Sequence, residues 1–298
     1  MYKWKRILFL LSILFTAACN NHTKSLAHLK DRIQKKLAID NTIFGVAFKN
    51  LVTGETILIN EKMPFHAAST MKTPVLIELY RQVAAGRFSL NDSLTIKNEF
   101  SSIVDGSLYS LDATDDSELE LYKKLGKKAT IADLAYKMII LSSNLATNML
   151  IEKVSADSVM KTMKTLGAKD IKVLRGVEDT KAFEKGLNNS TTALDNLLIF
   201  EQLANEKVVS ITASQQMTKI LLDQKFNEII PALLPANVKV AHKTGSITGI
   251  QHDGGIVFLP DGRKYVLVLL SRFKGDEKRV IQPMAEVSKL VYDYMMVK

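Results

Sequence analysis

The sequence predicts an α+β fold: an antiparallel sheet contributed by both ends of the chain, flanking helices, and an all-helical insertion, with the reactive residues at their junction. Two observations predict it. Strand-like segments are confined to residues 43–59 and 238–270, whereas from about residue 70 to 210 the apolar periodicity is helical. No repeat, low-complexity tract or linker separates the parts. Residues 20–68 and 213–298 are therefore expected to form one α/β subdomain around a helical subdomain spanning 69–212.

Taken in order, residues 20–29 read as a polar tether and 29–37 as a short amphipathic helix. Residues 43–48 and 56–59 flank Thr53-Gly54-Glu55 and read as a hairpin. Helical periods then cover 70–85, 131–141, 144–154, 157–166 and 192–205. The stretch 98–125, with Asp112, Asp115, Asp116, Glu118 and Glu120, is polar and turn-rich and is expected to be a long surface excursion. Residues 238–242, 255–259 and 265–270 are strand-like, the last two joined by Pro260-Asp261-Gly262, and 277–296 reads as a closing amphipathic helix.

With 298 residues, 47% apolar and 24% charged, the chain can bury a sizeable core. Its start differs from the rest. Lys3, Lys5 and Arg6 precede an apolar run over residues 7–15 and then Thr16-Ala17-Ala18-Cys19, a pattern of export signal too short to span a bilayer. Cys19, the one cysteine, stands where the signal ends. Residues 1–19 resemble a bacterial lipoprotein signal, which implies lipidation of Cys19 and a membrane-anchored protein of the periplasm or outer envelope. Thr16 departs from the large aliphatic residue usual three positions before such a cysteine. The mature chain can form no internal disulfide, so packing must stabilise it.

The formal charge of +9 falls to +6 when Lys3, Lys5 and Arg6 leave with the signal. The basic clusters Lys35-Lys36, Lys123-Lys124 and Lys127-Lys128 lack interleaved aromatics, which argues against nucleic acid as a partner. A monomer is expected.

The chemistry starts at Ser69-Thr70-Met71-Lys72. On a helix, residues three apart share a face, so the hydroxyl and the amine lie side by side, and a lysine whose pKa is lowered by burial can take the serine's proton. Pro74 belongs in a first helical turn, which puts the helix start near Ser69. Two more motifs follow in order. Ser142-Ser143-Asn144 opens a helical run, and Lys243-Thr244-Gly245 ends a strand.

These three motifs, each on its proper element, resemble those of the class A serine β-lactamases, and the resemblance spans nearly the whole mature chain. It implies hydrolysis of the β-lactam amide of penicillins or cephalosporins through an acyl-serine, with no metal or other cofactor. Ser69 matches the nucleophile, Lys72 its neighbouring lysine, and Ser142 the serine that relays a proton to the lactam nitrogen. Asn144 matches the asparagine that binds the substrate amide, Asn148 the one that braces the loop bearing the water-activating carboxylate, and Lys243 with Thr244 the pair that holds the substrate carboxylate. Gly245 lets the strand approach closely, and the N–H groups of Ser69 and Ser246 match the oxyanion hole. Ser143 departs from the family's aspartate. His242 before the lysine is also unusual and is expected to be a packed strand-end side chain. His66 and His252 form no His-x-His pair, which argues against a metal-dependent lactamase. Arg272, at a strand end, either faces the substrate carboxylate or is solvated.

Two glutamates compete for the water-activating role. Glu184 begins the local pattern Glu-x-x-Leu-Asn, but lies seventeen residues after Gly167 and eight before Thr192. Glu178 lies eleven after and fourteen before, which agrees better with the family's spacing between these landmarks, and Glu178 is the expected base. A D-alanyl-D-alanine peptidase, or a penicillin-binding or sensor lipoprotein that acylates without turnover, shares the motifs but lacks or displaces this carboxylate.

Overall fold

The structure, a computed structural model, describes residues 25–297. The signal segment and Cys19 lie outside the described residues. The first helix, α1 (Leu26–Lys36), is capped by the Ser25 side chain and leads into the hairpin β1 (Thr42–Asn50) and β2 (Thr56–Ile59). Three further strands close the chain: β3 (Lys239–Ile247), β4 (Ile250–Phe258) and β5 (Lys264–Phe273). They form one antiparallel sheet in the order β2-β1-β5-β4-β3, joined across the termini by the β1–β5 register Val46↔Leu269. This is the α+β architecture that the sequence predicts.

The sheet is covered on both faces, which explains why its strands read as continuous apolar runs. Along β5, Tyr265, Leu267 and Leu269 point toward α1 and the closing helix α9 (Lys278–Val297), where Ile33, Met284 and Val287 meet them. The alternate residues Val266, Val268 and Leu270 join the other core, which continues into the helical part.

Seven helices lie between β2 and β3: α2 (Lys72–Ala84), α3 (Ile131–Ile140), α4 (Asn144–Val154), α5 (Ala156–Thr165), α6 (Thr180–Glu184), α7 (Ala193–Ala204) and α8 (Ile211–Leu222). Buried residues ring α2 on all sides, as befits a helix at the centre of a bundle. Its buried Glu78 is held by Arg81, Gln82 and Thr162.

Three expectations are corrected and a fourth is refined. Ser69 is not in the α-helix itself but in a 3-10 turn, Ala68–Met71, that feeds directly into α2. Helix α8 lies where no helix is expected; Ser210 caps it and Met217 and Leu221 anchor it. The Lys243-Thr244-Gly245 motif lies within β3, which runs on to Ile247, rather than at a strand exit. Most consequentially, residues 98–125 are largely exposed, as expected of a surface excursion, but are pinned inward at particular positions. Phe100, Leu111 and Leu121 enter the core, and Ser102, Asp116 and Glu118 are buried against the helices. Their polar atoms bond inward, so a polar composition here marks internal partners as well as solvent.

The two-faced burial of β5 makes a direct prediction. Leu267→Ala removes a fully buried side chain between sheet and α9 and should cost about 2–5 kcal/mol in urea unfolding, with the m-value unchanged.

Candidate active site

A cleft of about 860 Å³ opens between the sheet edge β3 and the helical part. The 3-10 turn presents half-buried Ser69 to it. Just before the serine, Ala68 has φ +44°, a left-handed conformation that side chains resist, and its N–H donates to His66 Nδ1 at 3.1 Å. Gly245 on β3 runs close by. A Cβ there would come 3.2 Å from the backbone nitrogens of Ser69 and Thr70, so only glycine allows this approach without displacement.

Lys72, the first residue of α2, is fully buried. Its Nζ donates to the backbone oxygen of Ser142, to Asn144 Oδ1 at 2.9 Å and to Ser142 Oγ at 3.2 Å. Burial pushes its pKa down to about 7, against the opposing pull of the Asp116 and Glu178 carboxylates. Lys243, also buried, approaches from the sheet and donates to Ser142 Oγ at 3.0 Å. Burial, and then the charge of Lys72, drives its pKa well below the lysine range. The Ser142 hydroxyl thus stands between two amines. It can pass a proton from one side of the cleft to the other, and Ser142 holds this place with φ +57°.

Asn144 opens α4 and links this cluster to Glu178. Its Nδ2 donates to Glu178 Oε1 at 2.8 Å, and the Asp112 N–H donates to the other carboxylate oxygen at 3.3 Å. Burial raises the Glu178 pKa, these hydrogen bonds oppose the rise, and the charges of Asp115 and Asp116 add to it. The preceding residue is clamped by Asn148, whose Oδ1 accepts from Val177 N at 2.6 Å while its Nδ2 donates to Val177 O at 3.0 Å. Gly176 makes the clamp possible, since a Cβ there would fall 2.2 Å from Asn148 Oδ1. Arg175 makes no ion pair with Glu178. Its guanidinium donates to the carbonyls of Leu187 and Gly176 and to Asn188 Oδ1, tying the loop to itself.

Of the two competing glutamates, Glu178 lines the cleft; Glu184, at the end of α6, is exposed and does not. Thr244 and Ser246 line the opposite wall, where Gln251 donates to Ser246 Oγ at 2.8 Å. Arg272 is exposed and stands apart from the cleft. His242 is buried, with Nδ1 2.8 Å from Asp253 Oδ1 and Nε2 3.2 Å from Asn227 Oδ1, so it packs against the strand as expected. His252 is buried too. Its ring nitrogens meet the carbonyls of Gln251 and His66, and burial lowers its pKa to about 4.

The residue that sequence reasoning missed is Asp116. Its Oδ2 accepts from the N–H groups of Asn144 at 2.8 Å and Leu145 at 2.9 Å, from Tyr122 Oη at 3.1 Å and from Ser143 Oγ at 3.4 Å. Its Oδ1 accepts from Glu118 N at 3.0 Å. A buried carboxylate therefore neutralises the N-terminus of α4, while Ser143 supplies the side-chain cap to Ala146 N. The negative charge absent at Ser143 is delivered from a distant loop. Only the unusual Ser143 hints at this in the sequence, and it does not say where the compensating carboxylate lies.

This arrangement predicts opposite signs for one substitution in two backgrounds. Asp116→Asn should lower stability by about 2 kcal/mol in urea unfolding, because charged hydrogen bonds to buried N–H groups are lost. In that variant Ser143→Asp should recover part of the loss. In the unaltered chain the same Ser143→Asp sets a second carboxylate against the first and should destabilise.

Comparison with known proteins agrees with the geometry. The chain is 25% identical to the β-lactamase VEB-1 of Pseudomonas aeruginosa over 99% of both chains. Among solved structures, PBP-A superposes with a TM-score of 0.80 at 25% identity, covering 92% of this chain and 97% of that one. A variant of PBP-A, solved as an acyl-enzyme complex with penicillin G, matches at 25% identity and TM-score 0.78, over 92% and 98% of the two chains. The model of the Beta-lactamase enzyme family matches residues 28–295, nearly everything the structure describes, and the chain belongs to that family.

Proposed function

We propose that the protein is a serine β-lactamase of class A type that hydrolyses penicillins or cephalosporins through an acyl-serine intermediate. The observation that carries this reading is Glu178, joined through Asn144 to the Lys72–Ser142–Lys243 cluster and facing the same cleft as Ser69. A peptidase or sensor needs the nucleophile and the lysines; a β-lactamase needs a carboxylate that activates water against the penicilloyl ester as well.

In the proposed reaction Lys72 in its neutral form takes the Ser69 proton as Oγ attacks the lactam carbonyl. The N–H groups of Ser69 and Ser246 receive the developing oxyanion, an interaction worth about 3 kcal/mol per donor in acyl transfer. Ser142 hands its proton to the lactam nitrogen as the C–N bond breaks, and recovers one from the adjoining lysines. Lys243 and Thr244 hold the substrate carboxylate, and Asn144 the side-chain amide. Glu178 then takes a proton from water, whose oxygen attacks the acyl carbon, and the Ser69 ester bond breaks with return of a proton to Oγ. No step requires a metal or other cofactor.

The likeness to a penicillin-acylated variant of PBP-A keeps a second reading in view, that of a penicillin-binding protein acylated without turnover. One experiment separates the two. Incubated with benzylpenicillin and followed by intact mass and by product absorbance, Ser69→Ala should acquire no adduct. Glu178→Gln should acylate and then release product about 100-fold or more slowly, whereas Glu184→Gln should turn over normally. A persistent adduct on the unaltered protein would favour the second reading.

The pH dependence follows from burial of Lys72. Its pKa lies at about 7, so the neutral base is populated above that value, and the acylation rate should climb with pH through about 7 and then level off. A flat profile between pH 5 and 9 would remove Lys72 as the base.

We also propose export with lipidation at Cys19, on sequence alone. No described helix is long and apolar enough to cross a membrane. Cys19→Ser should move the protein from the membrane pellet to the soluble envelope fraction with unchanged specific activity.

A further inference from the structure

The mouth of the cleft carries charge opposite to that of the chain. Although the protein is formally +9, the titratable side chains that line the cleft are five carboxylates, one arginine and one histidine. Three of the carboxylates are exposed and come from three separate segments: Asp115 from the loop before α3, Glu228 from the loop after α8, and Glu277 just before α9. The cations that line the cleft or lie beneath it offer no answering charge at its surface. Arg175 is buried and bonded to its own loop, and Lys72 and Lys243 are buried beneath Ser142. Burial and the nearby Arg175 lower the pKa of His66, which leaves it neutral at neutral pH.

Two of these carboxylates flank the place where the side-chain amide of a β-lactam would lie. Asp115 follows the chain into Asp116, which holds Asn144 N, and its charge is felt at Glu178. On the other wall Glu277 Oε2 accepts from Gln251 Nε2 at 2.7 Å, and the same nitrogen donates to Ser246 Oγ at 2.8 Å. An amide held by Asn144 therefore has a carboxylate on the wall of Asn144 and another on the wall of Ser246, and Glu228 lines the same cleft. Such exposed charges act through water and are screened by salt, so they discriminate between substrates without deciding whether catalysis occurs.

We propose that this acidic rim makes the site selective for β-lactams bearing an ammonium group next to the side-chain amide, and selects against those bearing a second carboxylate there. The proposal rests on the β-lactam reading of the site and specifies its substrate class. Asp115, Glu228 and Glu277 are the specificity-determining residues, and none of them touches the reacting atoms.

Three penicillins differ only at the carbon beside that amide: benzylpenicillin is unsubstituted, ampicillin carries an ammonium and carbenicillin a carboxylate. Second-order rate constants on the full chain, taken as kcat/KM from product absorbance where the adduct turns over and as adduct growth by intact mass where it persists, score them in either case. The expected order is ampicillin, benzylpenicillin, carbenicillin, with about tenfold or more between the extremes at low salt, as summed charge interactions across water allow. The ratio should shrink in 0.5 M sodium chloride and in the triple variant Asp115→Asn, Glu228→Gln, Glu277→Gln. These are exposed, near-isosteric changes, and Glu277→Gln keeps an acceptor for Gln251. Equal rates, or faster acylation by carbenicillin, would overturn the proposal while leaving the β-lactam reading intact. So would an order that survives both salt and the triple variant, since it would then reflect shape and not charge. Acylation by none of the three would overturn both readings.

Discussion

The hydroxyl of Ser142 is held between two lysines that have both been taken out of water. Removing an ammonium group from water costs several kcal/mol even after relaxation, and two such groups sharing one acceptor repel each other as well. The site responds in two ways. Both lysine pKa values are driven down, so the pair can shed a proton near neutral pH, and carboxylates are brought close enough to limit the loss. Asp116 and Glu178 act on Lys72 from the helical side; Asp253 acts on Lys243 from the sheet. The protonation states of the two lysines belong to the pair, and Ser142 is the path between them.

Keeping that geometry requires backbone that local preference would not choose. Ala68, Ser142 and Glu178 all have positive φ, and each sets a different part of the cleft: the turn bearing Ser69, the hydroxyl between the two lysines, and the carboxylate bonded to Asn144. Left-handed conformations of non-glycine residues persist only where surrounding contacts over-determine them. Those contacts are visible here. The Ala68 N–H is held by His66, Ser142 is fixed by both lysines, and Glu178 follows a residue clamped on two backbone atoms by Asn148. Packing in the helical part thus sustains strain at the cleft, so a core substitution near α4 affects the site as well as stability.

What could be read from the sequence divides along the same line. The sheet, its hairpin and the principal helices are legible because apolar periodicity reports burial directly, and Ser69, Lys72, Ser142 and Lys243 are legible because their chemistry needs particular residue types at particular spacings. Glu178 could be distinguished from Glu184 only by distance from landmarks, since the local pattern points to the residue that faces solvent. Asp116 could not be read at all. Its bonds reach Asn144 and Leu145, 28 and 29 residues away, and no local pattern encodes them. The buried anchors of the stretch around it are hidden for the same reason: composition cannot tell a polar group that faces water from one whose partner is another part of the chain. The 3-10 turn at Ser69 reflects a similar limit, because Pro74 fixes where a helix is allowed to start but not the type of its first turn.

The location of the cleft follows from the way these parts meet. Helix α4 opens at Asn144, and the turn that opens α2 carries Ser69, so two positive helix ends converge where β3 presents Lys243. Left alone, this concentration of positive charge would be unfavourable, and Asp116 at the head of α4 offsets part of it. The remainder suits a ligand that brings an anion to the lysine side and develops a second negative charge on its carbonyl oxygen as it reacts. In the reaction proposed above that charge arises only as the carbonyl is attacked, so the same convergence would favour the reacting state over bound substrate, as differential binding of a transition state requires.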